Sequence, residues 1–123
     1  MYQFHRGQDL LNICAQQNMS IAQVMLRAEA EERGWEEKQV MHQLDRAFRV
    51  MEESVKKGLN AEIKSMSGLT GGNGFKLYQR TATGGMCGNL VLKAVSYSLA
   101  VTEVNAAMGR IVAAPTAGAS GVI

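Results

Sequence analysis

Cysteine is scarce in this 123-residue chain, which has only Cys14 and Cys87. They lie far apart, one in a helical pattern and one in a glycine-rich segment, so they make no disulfide framework and read as thiols of a reducing compartment. Long apolar runs are missing as well. Residues 1–6 carry no apolar stretch of signal-peptide length, and no stretch approaches the roughly 20 apolar residues of a membrane span. These absences predict a cytoplasmic chain with no membrane partner. There is no basic stripe either: 13 Lys and Arg stand against 11 Asp and Glu, for a net charge of +2. The two signs are interspersed, which argues against a nucleic-acid surface. His5 and His42 make no metal-ligand spacing with either cysteine. No internal repeat and no alternating strand pattern is present.

What remains is helical periodicity and glycine. The hydrophobic content of 46% is ordinary for a packed domain, and the length suits one core. Leu10, Leu11, Ile13 and Cys14 recur on one side of a first helix over residues 7–17. Ser20, with Gln23 three residues on, forms a capping-box signature for a second helix over 21–33, in which Ile21, Val24, Met25 and Ala28 share a face before Gly34. Val40, Leu44, Ala47, Phe48, Met51 and Val55 recur at three- and four-residue intervals, predicting a third helix over 35–57 that Gly58 ends. Acidic Glu36 and Glu37 at its start and Lys56 and Lys57 at its end complement the helix dipole. A last helix over 89–108 is apolar nearly all round and calls for neighbours on every side. Between them, 59–88 reads as a long Gly/Ser/Thr loop, and 113–121 as a second. The fold class expected is mainly α, a helical domain carrying two Gly-rich loops. Because Pro115, Gly118 and Gly121 lead into Val122 and Ile123, the chain reads as the N-terminal part of a larger all-α domain.

The chemistry concentrates in the loops. In Ser65-Met66-Ser67-Gly68-Leu69-Thr70-Gly71-Gly72-Asn73-Gly74, glycines let backbone N–H groups converge on an anion, and Ser67 and Thr70 add hydroxyl donors. An amino-acid carboxylate needs that donor set, while a flexible connector has the same composition. The loop lacks an apolar face, so packing gives little reason for its glycines. It is no P-loop, because the Gly-Lys-Ser/Thr ending is missing. Lys76 pairs with the bound carboxylate, steadies the loop, or is simply solvated. Asn105 and Glu103, polar in an apolar helix, either face a partner or make structural hydrogen bonds. Pro115-Thr116-Ala117-Gly118-Ala119-Ser120-Gly121 reads as a second donor loop or as a helix-initiating turn. Cys14 reads as a small buried apolar residue, and nothing near Cys87 suggests an activated nucleophile.

The order of the Gly68-Leu69-Thr70-Gly71-Gly72 loop, the Glu103-Val104-Asn105-Ala106-Ala107-Met108-Gly109 run and the Pro115-Thr116-Ala117-Gly118 loop closely resembles the α chain, or catalytic domain, of the bacterial iron-sulfur L-serine dehydratases. The likeness runs the length of the chain. Relatives tend to carry an Asp after the paired glycines, where this chain has Asn73. The resemblance implies a lyase that converts L-serine to pyruvate and ammonia with a 4Fe-4S cluster and no pyridoxal phosphate. It implies substrate binding by Ser67, Gly68, Thr70, Gly71, Gly72, Asn73, Lys76 and Asn105, and by Pro115, Thr116, Ala117, Gly118 and Ser120 from the other side. The resemblance also implies that the cluster cysteines lie in a later part of the domain, beyond Ile123; Cys14 and Cys87 alone do not make a ligand set. A β chain or regulatory domain and an oligomeric assembly are the partners implied. The alternatives are a related iron-sulfur lyase acting on L-cysteine and a non-enzymatic helical interaction module.

Overall fold

The structure, a computed structural model, describes residues 2–113. It is mainly α, with no β-strand among the described residues: α1 (Gly7–Gln17), α2 (Ile21–Arg33), α3 (Glu37–Gly58), α4 (Asn73–Arg80) and α5 (Gly88–Ala106). No described helix is long and apolar enough to cross a membrane. The chain divides into two compact units, Met1–Arg46 and Ala47–Ile123.

In the first unit, α1 packs against α2, and Val24, Ala30 and Val40 are buried. Helix α2 begins at a reciprocal cap, in which Ser20 Oγ accepts the Gln23 N–H at 3.3 Å and Gln23 Oε1 accepts the Ser20 N–H at 2.8 Å. It ends at Gly34, whose φ of 65° is the left-handed conformation of a helix C-terminus. The Trp35 N–H then donates back to the Ala30 carbonyl at 2.9 Å. Trp35 thus belongs to the end of α2. The third helix starts at Glu37, two residues later than its periodicity suggests, with Gln39 Oε1 accepting the Glu36 N–H at 2.9 Å.

The second unit is built on α5. Ser96, Ala100, Val101, Glu103 and Val104 are buried on it, and Ser54 of α3 is buried as well. Two glycines let other helices approach the α5 backbone closely. A Cβ on Gly58, the last residue of α3, would lie 2.1 Å from the Ala100 carbonyl oxygen. A Cβ on Gly74, in the first turn of α4, would lie 2.7 Å from the Ala100 nitrogen and 3.0 Å from the Ser96 oxygen. The two buried hydroxyls are satisfied within their own helices: Ser54 Oγ donates to the Met51 carbonyl and Ser96 Oγ to that of Lys93, each at 2.8 Å.

Helix α4 lies inside the stretch expected to be one long loop, 59–88. Eight residues are too few to hold a helix in water by propensity, so its pattern carries little signal alone. It exists because α5 supports it, through the Gly74 contact and a Tyr78–Tyr97 ring stack with centroids 5.9 Å apart. Helix α5 ends at Ala106, two residues before the expected 108. Met108 adopts φ 59° and the Gly109 N–H closes onto the Val104 carbonyl at 2.8 Å, a Schellman-type stop with Met108 in the position usually held by glycine. The other face of α5 stays open: Val91 is 48% exposed, Val95 45% and Leu99 36%.

Candidate functional site

The segment between Asn60 and Asn73 folds back on itself before entering α4. The Ser65 N–H donates to the Thr70 carbonyl at 2.8 Å and the Thr70 N–H to Ser65 Oγ at 3.3 Å, closing the neck of a short loop. Inside it, the Gly68 N–H donates to the Ser65 carbonyl at 2.8 Å, and the Ser65 and Ser67 hydroxyls lie 3.1 Å apart. Below the neck the two arms are so close that a Cβ on Gly71 would lie 1.9 Å from the Ile63 oxygen, and one on Gly72 would lie 2.9 Å from the Ala61 oxygen. Both residues have positive φ, 147° and 76°. Packing therefore does give a reason for Gly71, Gly72 and Gly74, contrary to the expectation from composition. Only Gly68, with nothing within 4 Å of a Cβ, has free space.

Two anchors hold this loop to α5. On one side the Met66 N–H donates to the Ala106 carbonyl at 3.0 Å. On the other, the Glu103 carboxylate spans the start of α4, with Oε1 accepting the Asn73 N–H at 2.8 Å and Oε2 the Gly74 N–H at 3.3 Å. Glu103 is only 8% exposed and forms no ion pair among the described residues. Two amide donors and the positive end of the α4 dipole compensate its charge instead. Of the two readings open for Glu103, internal hydrogen bonding is the one observed. The sequence held half of this signal, an isolated carboxylate in an apolar helix. The other half was a helix start, Gly72-Asn73-Gly74, with no capping side chain of its own.

The anchors change the donor inventory. The Asn73 and Gly74 amides, expected to face a ligand, are already occupied by Glu103. The Gly71 and Gly72 N–H groups and the Thr70 hydroxyl have no partner among the described residues. Ser67, Gly68 and Thr70 are exposed, Gly71 is half-buried and Gly72 is buried, so of these loop residues only the first three are presented openly. Asn105 is half-buried in the last turn of α5, next to the Ala106 anchor, and its side chain has no hydrogen bond among the described residues. Lys76 is exposed on α4 and lines a shallow groove with Gln79, Arg80 and Thr83; no loop residue lines that groove. Pro115, Thr116, Ala117, Gly118 and Ser120 lie outside the described residues.

An apolar groove in the first unit, lined by Met25, Leu26, Trp35, Val40, Met41 and Leu44 among others, is a poor rival. Its charged members, Glu29 and Arg33, are paired with each other. Among the described residues, no group of three His, Cys, Asp or Glu side chains is placed to hold a metal ion. Cys14 is half-buried in the first unit and Cys87 exposed in the second. The described residues therefore do not fit a 4Fe-4S cluster.

Comparison with known proteins bears on the whole chain. The family model described as serine dehydratase alpha chain matches residues 16–123. The chain is 40% identical over 121 residues to the probable L-serine dehydratase, alpha chain, of Bacillus subtilis, covering 98% of this chain and 40% of that protein. It is 29% identical over 118 residues to the L-serine dehydratase, alpha chain, of Peptoniphilus asaccharolyticus, covering 95% of this chain and 40% of the relative. It is 34% identical over 131 residues to the L-serine dehydratase of Streptomyces coelicolor, covering 99% of this chain and 27% of the relative. The chain thus spans well under half the length of these relatives. No solved structure matches it.

Proposed function

The chain belongs to the serine dehydratase alpha chain family, and from that premise we propose that the complete protein deaminates L-serine to pyruvate and ammonia. The reaction class is β-elimination. The α-proton and the β-hydroxyl leave as water, and the resulting aminoacrylate hydrolyses to pyruvate and ammonia. The part assigned to this chain is to hold the serine carboxylate. One observation carries that assignment: an anchored loop presents the exposed Thr70 hydroxyl beside the half-buried Gly71 amide, neither of which has a partner among the described residues. A carboxylate takes such donors in charge-assisted hydrogen bonds.

The described residues form no ligand set for a 4Fe-4S cluster, so a cluster in the complete protein would be held by other residues. The relatives named alpha chain point to a second chain or a regulatory domain as partner.

The test is the full-length enzyme, reconstituted anaerobically with iron and sulfide and assayed for pyruvate from L-serine and from L-cysteine. Serine is the expected substrate. Thr70→Ala removes one hydrogen bond to a charged group, about 1.5–3 kcal/mol, and raises KM for serine by about ten- to a hundredfold. A wild-type KM at equal cluster content would make the loop a connector.

A further inference from the structure

We infer that Glu103 is a positioning residue for the carboxylate-binding loop, an inference that rests on the substrate role proposed above for that loop. A buried carboxylate in an otherwise apolar helix is costly unless its oxygens are well bonded. Glu103 meets that condition with one oxygen on each of two successive amides, Asn73 at 2.8 Å and Gly74 at 3.3 Å. The ordinary local solution is a Ser, Thr, Asp or Asn at the helix N-cap. Here the N-cap is Gly72, with φ 76°, and a Cβ at that position would lie 2.9 Å from the Ala61 oxygen. The loop geometry thus excludes a local capping side chain, and the cap comes from α5.

That substitution links the loop to α5. Glu103 and Ala106 lie one helical turn apart, and they hold the two ends of the same loop, through Asn73 and Gly74 on one side and Met66 on the other. The residues between these anchors carry Thr70 Oγ1 and the Gly71 N–H, donors without a partner among the described residues. The Glu103 carboxylate also fills the amide pair that would otherwise attract a ligand's anion. A substrate carboxylate is therefore directed to the donors upstream of Asn73, and Glu103 sets where those donors stand relative to α5.

The test uses the full-length enzyme with its partner chain, and compares Glu103→Gln, Thr70→Ala and the double variant. Glu103→Gln keeps the side-chain shape but loses the charge and one acceptor. Amide exchange at Asn73 and Gly74 should rise, and KM for L-serine should rise about tenfold while kcat per cluster stays within about threefold. The double variant should be little worse than Thr70→Ala alone, because both changes act on the same donors. A purely structural role would lower the folded fraction and leave the KM of the remaining enzyme unchanged; that result overturns the proposal, as do KM effects that multiply. If Thr70→Ala raises KM and Glu103→Gln does not, Glu103 is no positioning residue while the substrate loop stands. If neither does, both readings fall. Glu103→Asp, which keeps the charge but is one methylene shorter, should show the same KM rise. Failure of both Glu103 variants to fold would assign the residue to folding alone.

Discussion

Gly58 and Ala100 meet backbone to backbone: the last residue of α3 lies so close to α5 that a Cβ on Gly58 would stand 2.1 Å from the Ala100 carbonyl oxygen. The atom it would strike belongs to a helix backbone and cannot rotate away. Ala100 is also pressed by Gly74 of α4. Gly58→Ala should therefore destabilise the second unit by about 1–3 kcal/mol or more, as overpacking does, although alanine is the better helix former. Urea unfolding of the full-length protein followed by circular dichroism, with amide exchange in α5 reporting the second unit, checks this. A higher midpoint would mean that α3 and α5 do not touch here.

Gly71 makes a second case in which a glycine is required by close backbone packing. Gly71→Ala places a methyl 1.9 Å from the Ile63 oxygen and forces an L-residue to φ 147°. The expected outcome is a fall in thermal midpoint together with any fall in activity, so the variant is no clean probe of substrate binding. Thr70→Ala is the cleaner one, since the Thr70 side chain is exposed and without a hydrogen bond among the described residues, and surface changes of that kind shift stability by less than about 0.5 kcal/mol. Thermal midpoints of both variants, measured beside their KM values, separate the two effects.

In the first unit, the Ser20 cap gives a third prediction. Ser20→Ala removes the acceptor of the Gln23 N–H and half of the reciprocal cap, and should cost about 0.5–2 kcal/mol. Ser20→Asp should retain most of it, because a carboxylate accepts the same amide and suits the positive end of the helix. Amide exchange at Gln23 reports the cap directly.

These cases show what the sequence could and could not display. The α2 start was legible because both partners, Ser20 and Gln23, lie within one turn and capping is a local event. The glycine loop stood out by composition, but its internal constraint did not. The need for glycine at 71 comes from Ile63, and at 74 from Ala100, contacts that no local pattern announces. Helix α4 was missed for the same reason: its support comes from α5, at Gly74 and Tyr78. Glu103 stood out as a charge among apolar residues, yet its partners lie some thirty residues upstream. Capping by a remote side chain leaves in the sequence only a helix start that lacks its own cap.

The open face of α5 carries the last prediction. Val91, Val95 and Leu99 recur every four residues and stay 48%, 45% and 36% exposed, while Ala94, Ser98 and Thr102, also exposed, add no charge beside them. An uncharged ridge of this kind is an association surface in water, and the small residues among the valines let another helix come close. The 123-residue chain on its own should therefore self-associate, with an apparent mass that rises with concentration in light scattering. Val91→Lys combined with Val95→Lys puts two ammonium groups on the ridge and touches no buried residue of α5. It should return the chain to a monomer with unchanged helix content. A wild-type chain that stays monomeric across the concentration range would show that the ridge is not adhesive.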